Sequence, residues 1–442
     1  MERKIVNDLC NWYKSSTRKP LVIRGARQVG KTWVARHLSQ QLNLKLLELN
    51  FERNPNVVSL FEDNDPAKVL LQLEAFFGHT IIPQEALLFL DEIQVAPEIL
   101  AKLRWFAEEM PDLSVIATGS LLDFVISDYE LSMPVGRIQY LHLEPMSFEE
   151  FLLARGEDKL CDFLAQYQLQ NAVAEAVHEK LLQLLREYIF IGGLPAAVNN
   201  WVQNQSFLSV NEVHQNLLTT YRDDFSKYAK RLAHARLQEV FQAVPRQLGK
   251  KFKYSAINQD VQSSTLKNAL SLMCQARLCH KVYASAGDGI PLAAGIKEKI
   301  FKVILLDVGL ATAAMGMTLT ERVKFSELHL LNEGGIAEQL VGQLLRVIVP
   351  YFLEPKLYYW LRDKVGAEAE VDYLMQHEAR IIPIEVKAGS TGTLRSLHAF
   401  MRLRNLKQAV RVNADYPSVV QVDNYQLISV PAYLLEQVPR LL

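Results

Sequence analysis

An α/β architecture of several domains follows from three features of this 442-residue chain. Short apolar runs alternate with amphipathic stretches from residue 21 onward, and the first run leads directly into a Gly-rich loop. The pattern then turns almost wholly helical after residue 146 and β-rich after residue 356. A chain this long outgrows one hydrophobic core, so about two to four domains are expected.

Composition narrows the class. The chain is 49% hydrophobic and 22% charged, ordinary for a globular protein in water. With a net charge of −1, no global field favours nucleic acid, and any such binding must come from local patches. Cys10, Cys161, Cys274 and Cys279 are scattered; Cys274 and Cys279 lie five apart with no second Cys/His pair at metal spacing, so those two read as buried thiols. Met1-Glu2-Arg3-Lys4 followed by a mixed helix does not read as a signal peptide. The most apolar stretches are too short or too charged to span a membrane, and the cytoplasm is the expected compartment.

Taken in order, residues 2–15 read as a helix, 21–24 as a strand, 31–42 as a helix and 45–51 as a strand. A helix over 66–77, an apolar strand over 86–90, a helix over 97–110 and a strand over 113–117 follow. Continuously apolar strands separated by helices predict a parallel sheet covered on both faces. Residues 146–230 read as helices interrupted at Gly192-Gly193-Leu194-Pro195. From 236 to 283 the order is helix, short helix, helix and strand, and a Gly/Pro-rich connection leads to a strand at 301–306. That order suits a winged helix. A helix over 333–348, a β-rich segment over 356–387 and further α/β pattern complete the chain.

The loop between the first strand and its helix is Gly25-Ala26-Arg27-Gln28-Val29-Gly30-Lys31-Thr32. Its glycines let successive N–H groups turn toward phosphate oxygens, and the helix that follows adds its positive end. Lys31 would reach the β- and γ-phosphates of ATP, and the Thr32 hydroxyl would hold Mg²⁺. Asp91 and Glu92 close the strand 86–90. In this fold Asp91 would hold Mg²⁺ through water, and Glu92 would orient the attacking water. Ser120 in Thr118-Gly119-Ser120 would contact the γ-phosphate or that water. Arg137, in Val135-Gly136-Arg137-Ile138, is the candidate arginine finger, acting in trans if copies of the chain assemble.

The runs Gly25–Thr32, Leu90-Asp91-Glu92-Ile93-Gln94, Ala117–Ser120, Val135-Gly136-Arg137 before His142–Phe151, and Ile191–Pro195 together resemble one prokaryotic family, over nearly the whole chain. It is a group of AAA-like P-loop ATPases with a C-terminal domain of unknown function. The resemblance implies an AAA-type core with a helical lid over 1–205, a helical and winged-helix-like section over 206–325, and a restriction-endonuclease-like α/β domain over 326–442.

In that last part, Glu370-Val371-Asp372 and Ile384-Glu385-Val386-Lys387 lie on two strands close enough in sequence to form a hairpin. Folded about residue 378, it brings Asp372 opposite Glu385. Two carboxylates and a lysine so placed would hold Mg²⁺ and position a water for phosphodiester attack. The pattern resembles the Asp…Glu-x-Lys motif of restriction-type nucleases, with Glu338 matching the helical acidic position such domains add. Pro383 lacks an N–H, so its strand is expected at a sheet edge, or with an unpaired position there. In the middle section Ser263 would cap a recognition helix, with Lys250, Lys251 and Lys253 nearby for DNA phosphates. Two functions stay open. One is an ATP-regulated enzyme acting on nucleic acid. The other is a nucleotide-dependent switch that binds a protein and carries a nuclease-like domain without cleavage activity.

Overall fold

The computed structural model describes residues 2–120, 122, 124, 134–228, 234–317, 334–362, 369–387 and 394–442. They form two compact units: residues 2–144 with 349–354, and residues 145–348 with 355–442.

The first unit runs α1 (Ile5–Lys14), β1 (Leu21–Arg24), α2 (Lys31–Gln41), β2 (Lys45–Asn50), α3 (Pro66–Phe77), β3 (Ala86–Asp91), α4 (Glu98–Glu109), β4 (Ser114–Thr118) and β5 (Gln139–His142). All five strands are parallel, in the order β2-β3-β4-β1-β5. Every residue of β3 and β4 is buried, which is why both read as uninterrupted apolar runs. Helix α3 shows how local sequence sets its limits. Asp65 accepts the Ala67 N–H, Pro66 occupies the first turn, and Gly78 closes the helix in the left-handed region. The expected parallel sheet is present. It gains β5, a four-residue edge strand whose single buried residue, Leu141, gave no periodic signal.

The second unit opens with five helices, α5 (Phe148–Ala154), α6 (Asp158–Gln166), α7 (Glu175–Ile191), α8 (Pro195–Asn204) and α9 (Phe207–Tyr228). Then come α10 (His234–Arg246), α11 (Ser263–Gln275), β6 (Cys279–Ser285), β7 (Ile296–Leu305), α12 (Val308–Ala314) and α13 (Gly334–Val347). It continues with β8 (Leu357–Arg362), β9 (Ala369–His377), β10 (Arg380–Val386), α14 (Arg395–Arg404), β11 (Gln408–Asn413), β12 (Ser418–Val422) and β13 (Tyr425–Pro431), and ends with a one-turn helix, α15 (Val438–Leu441). A capping box starts α5: Ser147 Oγ accepts the Glu150 N–H, and the Glu150 carboxylate accepts the Ser147 N–H.

Among the described residues the unit's eight strands form one mixed sheet, β12-β13-β11-β10-β9-β8-β6-β7. Strand β6 pairs with β8 in parallel, so the β6–β7 hairpin extends the same sheet as the C-terminal strands, across the boundary expected at residue 325. Strand β10 lies inside this sheet between β9 and β11, which corrects the expectation of an edge strand for Pro383. The alternative, an unpaired position, fits. Pairing with β11 begins at Ile384, one residue after the proline, so its missing N–H costs the β11 ladder nothing. Another correction concerns α11. Ser263 is its first helical residue rather than its cap; Gln262 precedes it without a side-chain capping bond.

A fully buried carboxylate ties α7, α12 and α13 together. Asp307 Oδ1 caps α12 by accepting the Leu310 N–H at 2.9 Å. Its Oδ2 accepts the Gly193 N–H at 2.6 Å and Gln343 Nε2 at 3.2 Å. Gln343 in turn accepts the Val308 N–H at 2.7 Å and donates to the Tyr188 hydroxyl at 3.0 Å. Gly192 has φ +74°, and a Cβ there would collide with the Asp307 carboxylate, so the glycine pair meets both a backbone and a contact requirement. Asp307→Ala would remove the cap and leave the Gly193 N–H and Gln343 amide buried without their acceptor. We expect a loss of about 3 kcal/mol or more, read as an earlier urea unfolding transition; an unchanged transition would show that the network contributes little.

Candidate functional site

In the first unit, β1 ends at the loop and the strand order brings β4 and then β3 alongside it. Groups at the C-terminal ends of these strands therefore converge where ligands bind open parallel sheets. Gly30 has φ +99° and stands immediately before α2, a turn that a side chain would resist. Lys31 is buried, and its ammonium donates to the carbonyls of Gly25 at 3.0 Å and Ala26 at 2.7 Å.

Asp91 is the meeting point of four donors. Its Oδ2 accepts Thr32 Oγ1 at 3.2 Å and Asn50 Nδ2 at 3.1 Å. Its Oδ1 accepts Thr118 Oγ1 at 2.5 Å and the Glu92 N–H at 3.1 Å. Burial pushes the Asp91 carboxyl up, while the hydrogen bonds from Thr118, Asn50 and Thr32 act the other way. Glu92 sits beside it in the left-handed region, φ +54°. Its carboxylate accepts Gln94 Nε2 at 2.6 Å and Ser120 Oγ at 3.2 Å. The structure thus brings Thr32, Asp91, Glu92 and Ser120 into one hydrogen-bonded group. Arg137 stands apart from this group's hydrogen bonds, half exposed, with its guanidinium donating to Glu108 at 2.6 Å.

Three contributors escaped sequence reading. Asn50 ends β2 in register with Asp91, and an asparagine closing an apolar strand was the available signal. Gln94 lies two residues after Glu92 and holds its carboxylate. Arg3 is buried and donates to the Val29 carbonyl of the loop at 2.9 Å and to the Glu144 carbonyl at 2.8 Å. Nothing local in the sequence announced that brace.

In the second unit, Ile384 pairs with Tyr373, and the Val386 N–H donates to Asp372 Oδ2 at 2.7 Å. The hairpin register therefore sets Asp372 across from Glu385. Lys387 Nζ lies 2.8 Å from Glu385 Oε1. Glu338, on α13, joins the group, but its partner is a residue the sequence reading passed over. Lys302 of β7, with a side chain only 2% exposed, ion-pairs with Glu338 at 2.7 Å and with Glu370, and stands 3.8 Å from Asp372 Oδ1. Its ammonium also lies 5.1 Å from the centre of the Tyr359 ring. Oxygens of Glu338, Glu370 and Asp372 lie within 4.8 Å of one another.

Electrostatics follow from burial. Loss of water pushes Glu338 up to about 8, against the pull of Lys302. It pushes Glu385 up to about 7, helped by the charge of Asp372. Burial alone would lower Lys302, yet Glu338, Asp372 and Glu370 hold it above its ordinary value, so it is a fixed cation.

Ser263, Ser264, Lys267 and Asn268 are exposed on α11, and Lys250, Lys251 and Lys253, which precede it, are exposed as well. Leu266, Leu270 and Met273 pack inward. The start of the loop between β6 and β7 is held, Arg404 donating to the Ala286 carbonyl at 2.8 Å and Gly287 lying against Phe400 of α14, while residues 288–291 are exposed. Cys274 and Cys279 have sulfurs 3.7 Å apart, with both thiols free. Among the described residues no helix is long and apolar enough to cross a membrane.

Residues 17–152 match the AAA domain family, residues 182–321 match the domain of unknown function DUF8612, and residues 333–433 match the domain of unknown function DUF4143. No curated protein gives a significant match. Among solved structures the chain is similar to the Walker-type ATPase PABY2304 of Pyrococcus abyssi, at 15% identity over 71% of this chain and 95% of that one, TM-score 0.44. It is also similar to the ORC2 protein of Aeropyrum pernix, at 12% identity over 74% and 95%, TM-score 0.36. A third is the RuvB Holliday junction branch migration motor of Thermotoga maritima, at 15% identity over 64% and 90%, TM-score 0.28. The chain carries an AAA-type P-loop ATPase domain.

Proposed function

We propose that this chain binds and hydrolyses Mg²⁺–ATP at the Gly25–Thr32 loop and that nucleotide turnover governs a nucleic-acid-directed second unit. The observation that carries the first half is the hydrogen-bonded group of Thr32, Asp91, Glu92 and Ser120 beside the loop. Thr32 and Asp91 would hold Mg²⁺, Lys31 would turn from the loop carbonyls to the β- and γ-phosphates, and the loop N–H groups would cradle them. Glu92 would polarise the attacking water, with Ser120 and Gln94 setting the angle of its carboxylate. Arg137, half exposed and outside the hydrogen bonds of this group, would serve as a finger for a neighbouring copy.

For the second half, support comes from the polar exposed face of α11 with Lys250, Lys251 and Lys253, and from Asp372, Glu385 and Lys387 on one hairpin, the arrangement of a restriction-endonuclease-like centre. The alternative, a protein-binding switch with an idle nuclease-like unit, draws on the start of the β6–β7 loop, where Ala286 and Gly287 are held against α14 and only the tip at 288–291 stays exposed.

Lys31→Ala is expected to abolish ATP binding, because it removes ground-state charge from the phosphates. Glu92→Gln is expected to retain ATP and lose turnover by about 10²–10⁴-fold, measured by nucleotide binding and phosphate release; wild-type turnover in Glu92→Gln would take Glu92 out of the mechanism. Arg137→Ala should lower hydrolysis by about 10³-fold or more. Mixing it with Lys31→Ala protein should restore part of that rate through mixed interfaces; absence of rescue in a strictly monomeric protein would exclude action in trans. Charge reversal at Lys250, Lys251 and Lys253 should weaken DNA retention and flatten its dependence on salt. If DNA neither binds nor alters ATP hydrolysis, the protein-binding switch becomes the better description.

A further inference from the structure

We propose that Lys302 keeps Glu338 and Glu370 as its own partners, so that the nuclease-like centre takes a single divalent cation between Asp372 and Glu385 and Glu338 is not a metal ligand. The inference rests on the nuclease-like reading above and changes what that reading would put on the metal.

Three close carboxylates invite a metal ion, but the position among them already holds a positive charge. Lys302 Nζ is within hydrogen-bonding reach of Glu338, at 2.7 Å, and of Glu370, whereas at 3.8 Å it stops short of Asp372 Oδ1. The lysine is almost fully buried, and removing a paired charge from such a site leaves its partners uncompensated. A metal approaching Glu338 would have to displace it.

The oxygens left over belong to Asp372, at the edge of this cluster, and to Glu385. Asp372 Oδ2 is fixed by the Val386 N–H at 2.7 Å, which leaves Oδ1 facing the cluster. Glu385 gives Oε1 to Lys387 at 2.8 Å, while its Oε2 is buried and accepts no hydrogen bond among the described residues. A buried carboxylate oxygen without a donor costs free energy, and a hard cation with an oxygen preference meets that need. Lys302 thus supplies from β7 the positive charge that Glu338 and Glu370 face.

The test counts Mn²⁺ bound to the full chain carrying Lys31→Ala and free of nucleotide, by calorimetry and by the electron paramagnetic resonance of free Mn²⁺. We expect one Mn²⁺ per chain, lost in Asp372→Asn and in Glu385→Gln but retained in Glu338→Gln. Lys302→Met should take up an additional Mn²⁺ that disappears when Glu338→Gln is added. Loss of Mn²⁺ in Glu338→Gln to the same degree as in Asp372→Asn would overturn the proposal, and that comparison holds even if Lys302→Met fails to fold. A folded Lys302→Met protein with an unchanged Mn²⁺ count would overturn it as well. Absence of Mn²⁺ from both the parent and Lys302→Met proteins would be a different failure, removing the nuclease-like reading itself.

Discussion

A carboxylate taken wholly out of water must be met by donors, and in the larger unit Asp307 is met by backbone and side-chain groups from three separate elements. It caps α12 through Leu310, receives the Gly193 N–H after α7, and receives Gln343 from α13. Burial holds its carboxyl up at about 6, a measure of how much water was removed to build the junction. The Tyr188 hydroxyl carries the chain of bonds on to the Met146 carbonyl at 2.6 Å. The Gly192-Gly193 pair, prominent in the sequence, therefore belongs to this junction. Its small residues serve close approach within the unit.

The same rule shapes the nucleotide-binding unit in a milder form. Asp91 closes a strand whose six residues are all buried, so its two oxygens would be costly without partners. Thr32, Asn50, Thr118 and the Glu92 N–H supply them. Three of these come from different strand ends or the loop, and only the β2-β3-β4-β1 order makes them neighbours. The donors that satisfy the carboxylate also fix its direction. Stability and placement of the acidic pair are one arrangement here.

The mixed sheet gives the second unit its continuity. Because β6 pairs with β8, a hairpin read as the end of one domain becomes part of the sheet of the next. That pairing lets Lys302 of β7 lie over Tyr359 and reach Glu370, on strands far along the chain. In the same sheet β10 lies between β9 and β11, and its Glu385 is buried, with its chemistry set by the few groups around it.

Local chemistry made much of this legible. The loop Gly25–Thr32, the apolar strands ending at Asp91 and Thr118, the helices through the middle and the Asp372–Glu385 hairpin all follow from spacing, periodicity and glycine placement, which act over a few residues. What local pattern could not decide was adjacency between distant segments. Asn50 beside Asp91, Arg3 beneath the loop, β5 as a short edge strand, β10 inside the sheet and Lys302 among three carboxylates each depend on strand order and long-range packing. A lysine in an alternating strand reads as a solvated side chain, because sequence records its charge and not the carboxylates that gather around it. Only the tertiary structure buried Lys302, and burial is what turned an ordinary charge into a fixed one.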